Sequence, residues 1–517
     1  MASPSDALLS RHGRQAARPG NRLIFGLLVV AFIAGLALLA ALVPVSHGFE
    51  SKGGGWFFPE VVGGQFTLRP LLIAVPWAAC FVLGLVDWRR PKRVEHLDLL
   101  ALAGFFPVAM LLSDGFSAAG LWLAAACLGW LFVRLLGAYF GKWRMPELRP
   151  SFSARRLRAA VGILLLVRLG CVATGNILDV GQASSVGAWR LLHGLHLYGA
   201  LSWRGPRGLT IYRPDSYGPF AYYAYIPFVA IFPPAPAVIA TLLPAACFDV
   251  LTLAGLYKLG CRLGGRPLAQ AFMFGYLLYP FTALSLMAET NDALVAALCV
   301  WTIVAAQRPV TRGLLITAAA LTKFVPALLA FQFLGVRRGR WRYVLTLVAA
   351  LAGMLAWPLI TSGVARFIDS TFGYQLLQRG GGLQFSIWTY LPHVATLARP
   401  LLGAGLLLLA LSPMWRPPVQ DPRQHAALAA ALLIGAELLL GYWFYSYLIW
   451  FYPLLVVAVI QSPREYQDAE TLTYGTGRSE PTASACASAS SNASSNGQPA
   501  DSNHELAQPA VSAPDLR

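Results

Sequence analysis

Residues 313–334 read GLLITAAALTKFVPALLAFQFL, and the way this stretch is threaded decides the fold. It is long enough to cross a bilayer core, which takes about 20 helical residues. Lys323 and Pro326 interrupt its middle; Arg308 and Arg312 precede it, and Arg337, Arg338, Arg340 and Arg342 follow it. Cationic flanks stay cytoplasmic, so a single crossing would strand one arginine group on the wrong face. A hairpin that enters and leaves from the cytoplasm satisfies both flanks. Its turn at Lys323 then reaches the interior from below, where irregular backbone needs surrounding protein or a water-filled cavity.

The rest of the chain requires that membrane reading. Of 517 residues, 57% are hydrophobic and 12% charged, with a mean hydropathy of +0.58. Soluble domains carry about 25% charged residues, so a soluble enzyme, a fibrous chain and a largely disordered one are all excluded. Six of the seven Cys lie in or beside apolar runs, where Cys acts as a small hydrophobe, and a disulfide scaffold is excluded too. The net charge of +17 is first a topology signal.

The run from Leu23 to Val45 exceeds the roughly 7–15 apolar residues of a cleaved signal peptide and reads as a retained anchor. Further spans are expected near 70–88, 97–113, 118–140, 159–175, 236–258, 267–287, 291–306, 343–360, 392–414, 426–441 and 446–461. The fold class is therefore an all-α polytopic membrane protein of about twelve crossings. Basic connectors at 89–96 and 141–158 place both termini in the cytoplasm. Segment 219–232 is too short to cross and is expected in the outer interface. Residues 1–21 form a cytoplasmic tail, 22–157 a four-helix membrane region and 158–461 the main membrane module. The tail 462–517, rich in Ser, Ala, Asn, Gln and Pro, has too little apolar surface to fold alone.

Polar groups collect on the outer side. Loop 175–218 holds Asp179, Asp215 and Tyr217; a turn reads Glu289-Thr290-Asn291-Asp292. Loop 361–391 adds Arg379, Ser386 and Trp388, with His393 beyond, and the last turn includes Tyr445. Aromatic faces stack on sugar rings, carboxylates accept hydroxyl hydrogens, and cations bind phosphate. Most Trp and Tyr at such positions also suit an ordinary interfacial belt. Arg168, inside a span, is a functional candidate or a snorkelling cation. Asp249 and Glu437 suit structural hydrogen bonding equally well, and Lys323 can snorkel or neutralise a buried carboxylate. No phosphate-binding glycine loop, dinucleotide fingerprint, zinc-type Cys/His cluster or outer Asp-x-Asp pair occurs. No metal, cofactor or nucleic acid is expected.

Several short motifs occur in order: Leu178-Asp179-Val180-Gly181, Asp215-Ser216-Tyr217-Gly218-Pro219, Thr290-Asn291-Asp292, Leu321-Thr322-Lys323-Phe324-Val325-Pro326, Thr371-Phe372-Gly373-Tyr374-Gln375, Phe385-Ser386-Ile387-Trp388 and Trp450-Phe451-Tyr452-Pro453. In this order and setting, the chain over 158–461 resembles polyprenyl-phosphate-dependent glycosyltransferases of the GT-C superfamily, closest to glycosyltransferase family 87. The resemblance implies a bacterial plasma-membrane enzyme with a GT-C-like bundle. It would move a hexose, usually mannose, from a polyprenyl-phosphate-linked sugar donor to a glycolipid or polysaccharide acceptor on the outer face. It implies Asp179 as the catalytic carboxylate. The chain departs from the simplest family pattern in the four spans of 22–157 that stand ahead of the module bearing its large outer loop.

The chemistry agrees. The donor's tail stays in membrane lipid, and its phosphate leaves without an acid, stabilised by fixed cations. Arg168, Lys323 and Arg379 are the candidates. Asp179 would take the acceptor proton from about 2.6–3.2 Å, with inversion, while Asp215, Asn291 and Asp292 orient sugar hydroxyls. Tyr217, Ser386, Trp388, His393 and Tyr445 complete the expected substrate contacts. The competing reading is a transporter or flippase of lipid-linked sugars, which broken segments such as 313–334 also suit.

Overall fold

The computed structural model describes residues 61–62, 65–66, 69–86, 95–113, 117–141, 148–173, 179–204, 210–232, 239–373, 386–415, 421–441 and 444–463. The Leu23–Val45 anchor, Arg379 and the tail from 464 onward lie outside them. The described residues are almost wholly helical, as the sequence leads one to expect. The helices are α1 Arg69–Leu85, α2 Glu95–Ala103, α3 Phe105–Ser113, α4 Ser117–Tyr139, α5 Ala154–Ala173 and α6 Asp179–Leu192. They continue as α7 Phe220–Tyr223, α8 Ile226–Ile231, α9 Ile239–Leu278, α10 Pro280–Met287, α11 Asp292–Val304 and α12 Pro309–Ala320. The last are α13 Leu328–Gln332, α14 Arg340–Ser362, α15 Val364–Ile368, α16 Pro392–Leu411, α17 Pro422–Leu439 and α18 Leu448–Val459. Two short antiparallel pairs, Val61–Val62 with Gln65–Phe66 and Ser202–Arg204 with Thr210–Tyr212, are β1–β4.

The stretch 313–334 is a hairpin. Its first arm is α12; the chain turns over Leu321–Phe324 and returns through a 3-10 turn (Val325–Ala327) and α13. The two bases meet, since the Arg312 guanidinium lies 5.2 Å from the Phe333 ring centre and 4.5 Å from that of Tyr343. Twelve residues of helix span about 18 Å, which sets the hairpin tip at Lys323 about that far from its arginine-flanked base.

Helix α9 is a second hairpin. Tyr276 Oη donates to Asp249 Oδ1 at 2.7 Å, although 27 helical residues would span about 40 Å. The reversal is at Gly264–Gly265, where Gly265 takes φ +71°, a conformation suited to glycine. A Cβ on Gly260 would lie 2.3 Å from Ala269 Cα, so the arms touch backbone to backbone. The turn sits beside Lys258, Arg262 and Arg266, the cationic connector expected between spans near 236–258 and 267–287. Helices α7 and α8, of four and six residues, are too short to cross, as expected for 219–232.

Helices α11, α17 and α18 are buried all round, which marks the centre of the bundle. Helices α14 and α16 instead expose apolar side chains; Ile360 is 78% and Leu397 69% accessible, as helices bathed in lipid would be. By length and composition, Ala118–Tyr139, Ile239–Leu278, Arg340–Ser362 and Pro392–Met414 can cross a membrane. The N-terminal helices share the same core cluster as α11 and α18. Leu148 and the end of α18 exchange backbone bonds of 2.9 Å (Leu148 N to Val459 O, Gln461 N to Leu148 O).

Candidate active site: a caged lysine beside Asp292

Three chain segments converge on Lys323. The first is the tip of the 313–334 hairpin itself, where Lys323 N donates to Ala319 O at 3.1 Å and Thr322 Oγ1 to Ala318 O at 2.8 Å. The second is the loop from Asp215 to Pro219, laid against that tip by a Phe220 N to Leu321 O bond of 3.0 Å. A Cβ on Gly218 would stand 2.1 Å from Leu321 O, so only glycine allows this approach. It brings the Tyr217 ring over the Lys323 ammonium at 4.5 Å. The third is the start of α18, where Tyr447 and Trp450 stack at 4.2 Å. Their rings face the ammonium at 5.6 and 5.8 Å.

Asp292, the first residue of α11, closes the enclosure. Its Oδ1 accepts the Trp450 indole N–H at 2.8 Å and lies 3.5 Å from Lys323 Nζ. Asp292 is 1% and Lys323 8% accessible, and the helix N-terminus favours a carboxylate there. A well-made ammonium–carboxylate bond is about 2.7–2.9 Å; this pair is open. Lys323 Nζ makes no hydrogen bond among the described residues, and Asp292 Oδ2 accepts none. A buried ammonium on aromatic faces, its hydrogens uncommitted, can donate to the oxygens of an anion.

Behind Asp292 the turn is strained. Glu289 takes φ +52° without being glycine, and such strain gathers at functional sites. Its carboxylate accepts from Thr241 Oγ1. Asn291 Nδ2 donates to Ser184 Oγ at 3.1 Å, while Asn291 Oδ1 and Gln182 Oε1 are buried without partners among the described residues. A Cβ on Gly181 would lie 2.2 Å from Glu289 O, so the first turn of α6 is seated on this turn. Asp179 begins α6 two residues earlier; its side chain lies outside the described residues.

Asp215 pins the neighbouring loops together. Its Oδ2 accepts from Gly199 N (2.8 Å), Ala200 N (3.0 Å) and Ser370 Oγ (2.7 Å), and Oδ1 is buried without a partner among the described residues. Tyr198 Oη donates to Tyr217 O at 3.0 Å. Burial, then Tyr223 and Asp215 nearby, hold that phenol well above the usual tyrosine range, so it remains a donor.

The structure thus brings Tyr217, Asp292 and Lys323 together, with Asn291 adjacent. The other expected contacts stand elsewhere. Arg168 is buried with Asp249 (3.9 Å), over Tyr276 (5.4 Å), and donates to Thr282 Oγ1. Ser386 Oγ donates to Leu440 O at 2.7 Å and Trp388 Nε1 to Leu438 O at 2.8 Å, so both close the C-terminal end of α17. His393 is exposed at the start of α16. Tyr445 packs on Phe281 and Phe444. Trp450 and Tyr447 were not among the expected site residues; a Trp in an apolar run reads as core.

Residues 216–441 match the model of glycosyltransferase family 87. Over those residues the match agrees with the family resemblance drawn from the sequence. It contains Tyr217, Asn291, Asp292 and Lys323, and leaves Asp179, Tyr447 and Trp450 outside. No curated protein matches the chain. Among solved structures, the chain is similar to ArnT from Cupriavidus metallidurans bound to undecaprenyl phosphate, at 17% identity and a TM-score of 0.42, over 63% of this chain and 64% of that one. For the apo state of ArnT the values are 17%, 0.41, 62% and 63%. The chain therefore spans just under two thirds of the length of those structures.

Proposed function

We propose that this protein is a glycosyltransferase that moves a hexose, mannose first among the candidates, from a polyprenyl-phosphate-linked donor to a cell-envelope glycolipid or polysaccharide on the extracytoplasmic face of a bacterial plasma membrane. The observation that carries the reading is the uncommitted, caged ammonium of Lys323 beside Asp292. A lipid monophosphate offers it several acceptor oxygens, and the donor's sugar would lie against Tyr217, Tyr447 and Trp450.

In the proposed reaction the acceptor hydroxyl oxygen attacks the anomeric carbon from the face opposite the phosphate. The carbon–oxygen bond to phosphate breaks, and polyprenyl phosphate leaves with the electron pair, its charge stabilised by Lys323. The hydroxyl proton passes to a carboxylate, which we assign to Asp179 at the head of α6. Asp292 and Asn291 orient sugar hydroxyls. One carboxylate suffices because the leaving phosphate needs no acid, unlike the paired carboxylates of glycoside hydrolysis.

The test is transfer of labelled mannose from polyprenyl-phosphate mannose to envelope acceptors by the full chain in vesicles, with Lys323→Ala and Asp179→Asn beside wild type. Loss of transfer in both folded variants supports the reading. Movement of labelled lipid across the vesicle, undiminished in Asp179→Asn and with no sugar transferred, would show a flippase instead.

A further inference from the structure

The open Lys323–Asp292 pair needs a cause, because nothing in electrostatics keeps an ammonium and a carboxylate at 3.5 Å when they can close by more than half an ångström. Two features hold it open. Asp292 Oδ1, the oxygen nearer the ammonium, is anchored by the Trp450 indole N–H at 2.8 Å, which fixes where the carboxylate points. The ammonium is also shared among three ring faces, of which Trp450 supplies one and Tyr447, stacked on Trp450, another. One side chain therefore bonds the carboxylate, faces the cation and supports a second ring.

We propose that Trp450 is a positioning residue that keeps Lys323 available for the lipid phosphate. Its N–H anchors Asp292 Oδ1, holds the carboxylate back from Lys323 and leaves Oδ2 for a sugar hydroxyl. Without that N–H, the ammonium closes onto the carboxylate and must be pulled away before a phosphate can bind. The inference rests on the donor reading above, and it makes Trp450 act through Asp292 without touching phosphate itself.

The experiment measures binding of undecaprenyl phosphate, which carries no sugar, to the full chain in nanodiscs. Trp450→Phe keeps a ring and loses the N–H; its affinity is expected to fall about tenfold, the factor for one displaced bond of about 1.4 kcal/mol. In an Asp292→Asn background the same substitution is expected to change affinity less than twofold, since no carboxylate is left for Lys323 to close onto. Equal losses in both backgrounds, or no loss in either, overturn the proposal. Asp292→Asn alone is expected to bind several-fold tighter than wild type; an unchanged affinity also overturns it, and this arm decides if Trp450→Phe does not fold. A wild type that binds no lipid phosphate, or binds it equally well as Lys323→Ala, defeats the donor reading itself, which separates the two failures.

Discussion

Asp98–Arg134 and Asp292–Lys323 are both carboxylate–cation pairs buried between helices, and they are finished differently. In the first, α2 meets α4 through a two-pronged contact: Arg134 Nε reaches Oδ1 at 2.9 Å and Nη2 reaches Oδ2 at 3.1 Å. The Trp130 indole N–H adds 2.8 Å to Oδ1. Both carboxylate oxygens are used. In the second, a Trp indole again bonds Oδ1, but the cation is a lysine held at 3.5 Å and Oδ2 has no partner among the described residues. The planar fork of arginine suits a closed architectural pair, whereas lysine is a point charge with rotatable donors. On the proposed donor reading, the closed pair is structural and the open one is kept for a ligand. Arg168–Asp249 lies between them, with a loose 3.9 Å contact but with Tyr276 bonding Asp249.

The largest effect expected to sharpen this contrast is Lys323→Ala. If Lys323 stabilises the departing phosphate, its loss should lower kcat by about 10²–10³-fold, read per folded molecule because Asp292, itself buried, also loses its cation. A variant that transfers sugar at the wild-type rate would place the leaving-group cation elsewhere. Arg134→Ala should behave in reverse. It takes the guanidinium from buried Asp98, and breaking such a pair costs about 3–5 kcal/mol, so denaturation in detergent should begin earlier while turnover per folded molecule is kept.

Gly218→Ala tests the backbone that aims Tyr217. The added Cβ meets Leu321 O at 2.1 Å, a contact that neither backbone can escape without moving the loop off the hairpin tip. A shift of about 1 Å at a reacting centre can cost 10²-fold, and a loss of that order in kcat/KM is expected with the fold retained by circular dichroism. Wild-type kinetics would mean that Tyr217 does not set the geometry of the cage.

Much of this architecture was legible from charge and apolar length. The arginines at both ends of 313–334 dictate a hairpin, and the Lys258–Arg266 cluster dictates the reversal in α9, since each follows from which side of a bilayer tolerates cations. The site was legible only in part. Tyr217, Asp292 and Lys323 stand out as polar or charged groups next to apolar runs. Trp450 does not, because an indole whose value is one directed N–H looks like any buried aromatic. Ser386 and Trp388 show the opposite failure: their polar atoms serve the carbonyls that end α17, a partner invisible without the fold. Tyr445 and Tyr447 are separated by the pitch of a 3-10 turn, about 120° per residue, which turns one ring to Phe281 and the other to Lys323.

The smallest expected effect belongs to Ser386→Ala, and it probes the boundary between architecture and site. Ser386 Oγ makes a 2.7 Å bond to Leu440 O, next to the end of a helix whose last carbonyls lack partners. Removing it should cost about 0.5–1.5 kcal/mol of stability and leave the donor KM unchanged. The same loop leads back to the segment that holds Arg379, so a raised KM with unaltered stability would reveal that this stretch reaches the substrate after all. In that event the aromatic cage would form one wall of a larger site, with the 386–388 turn as part of another.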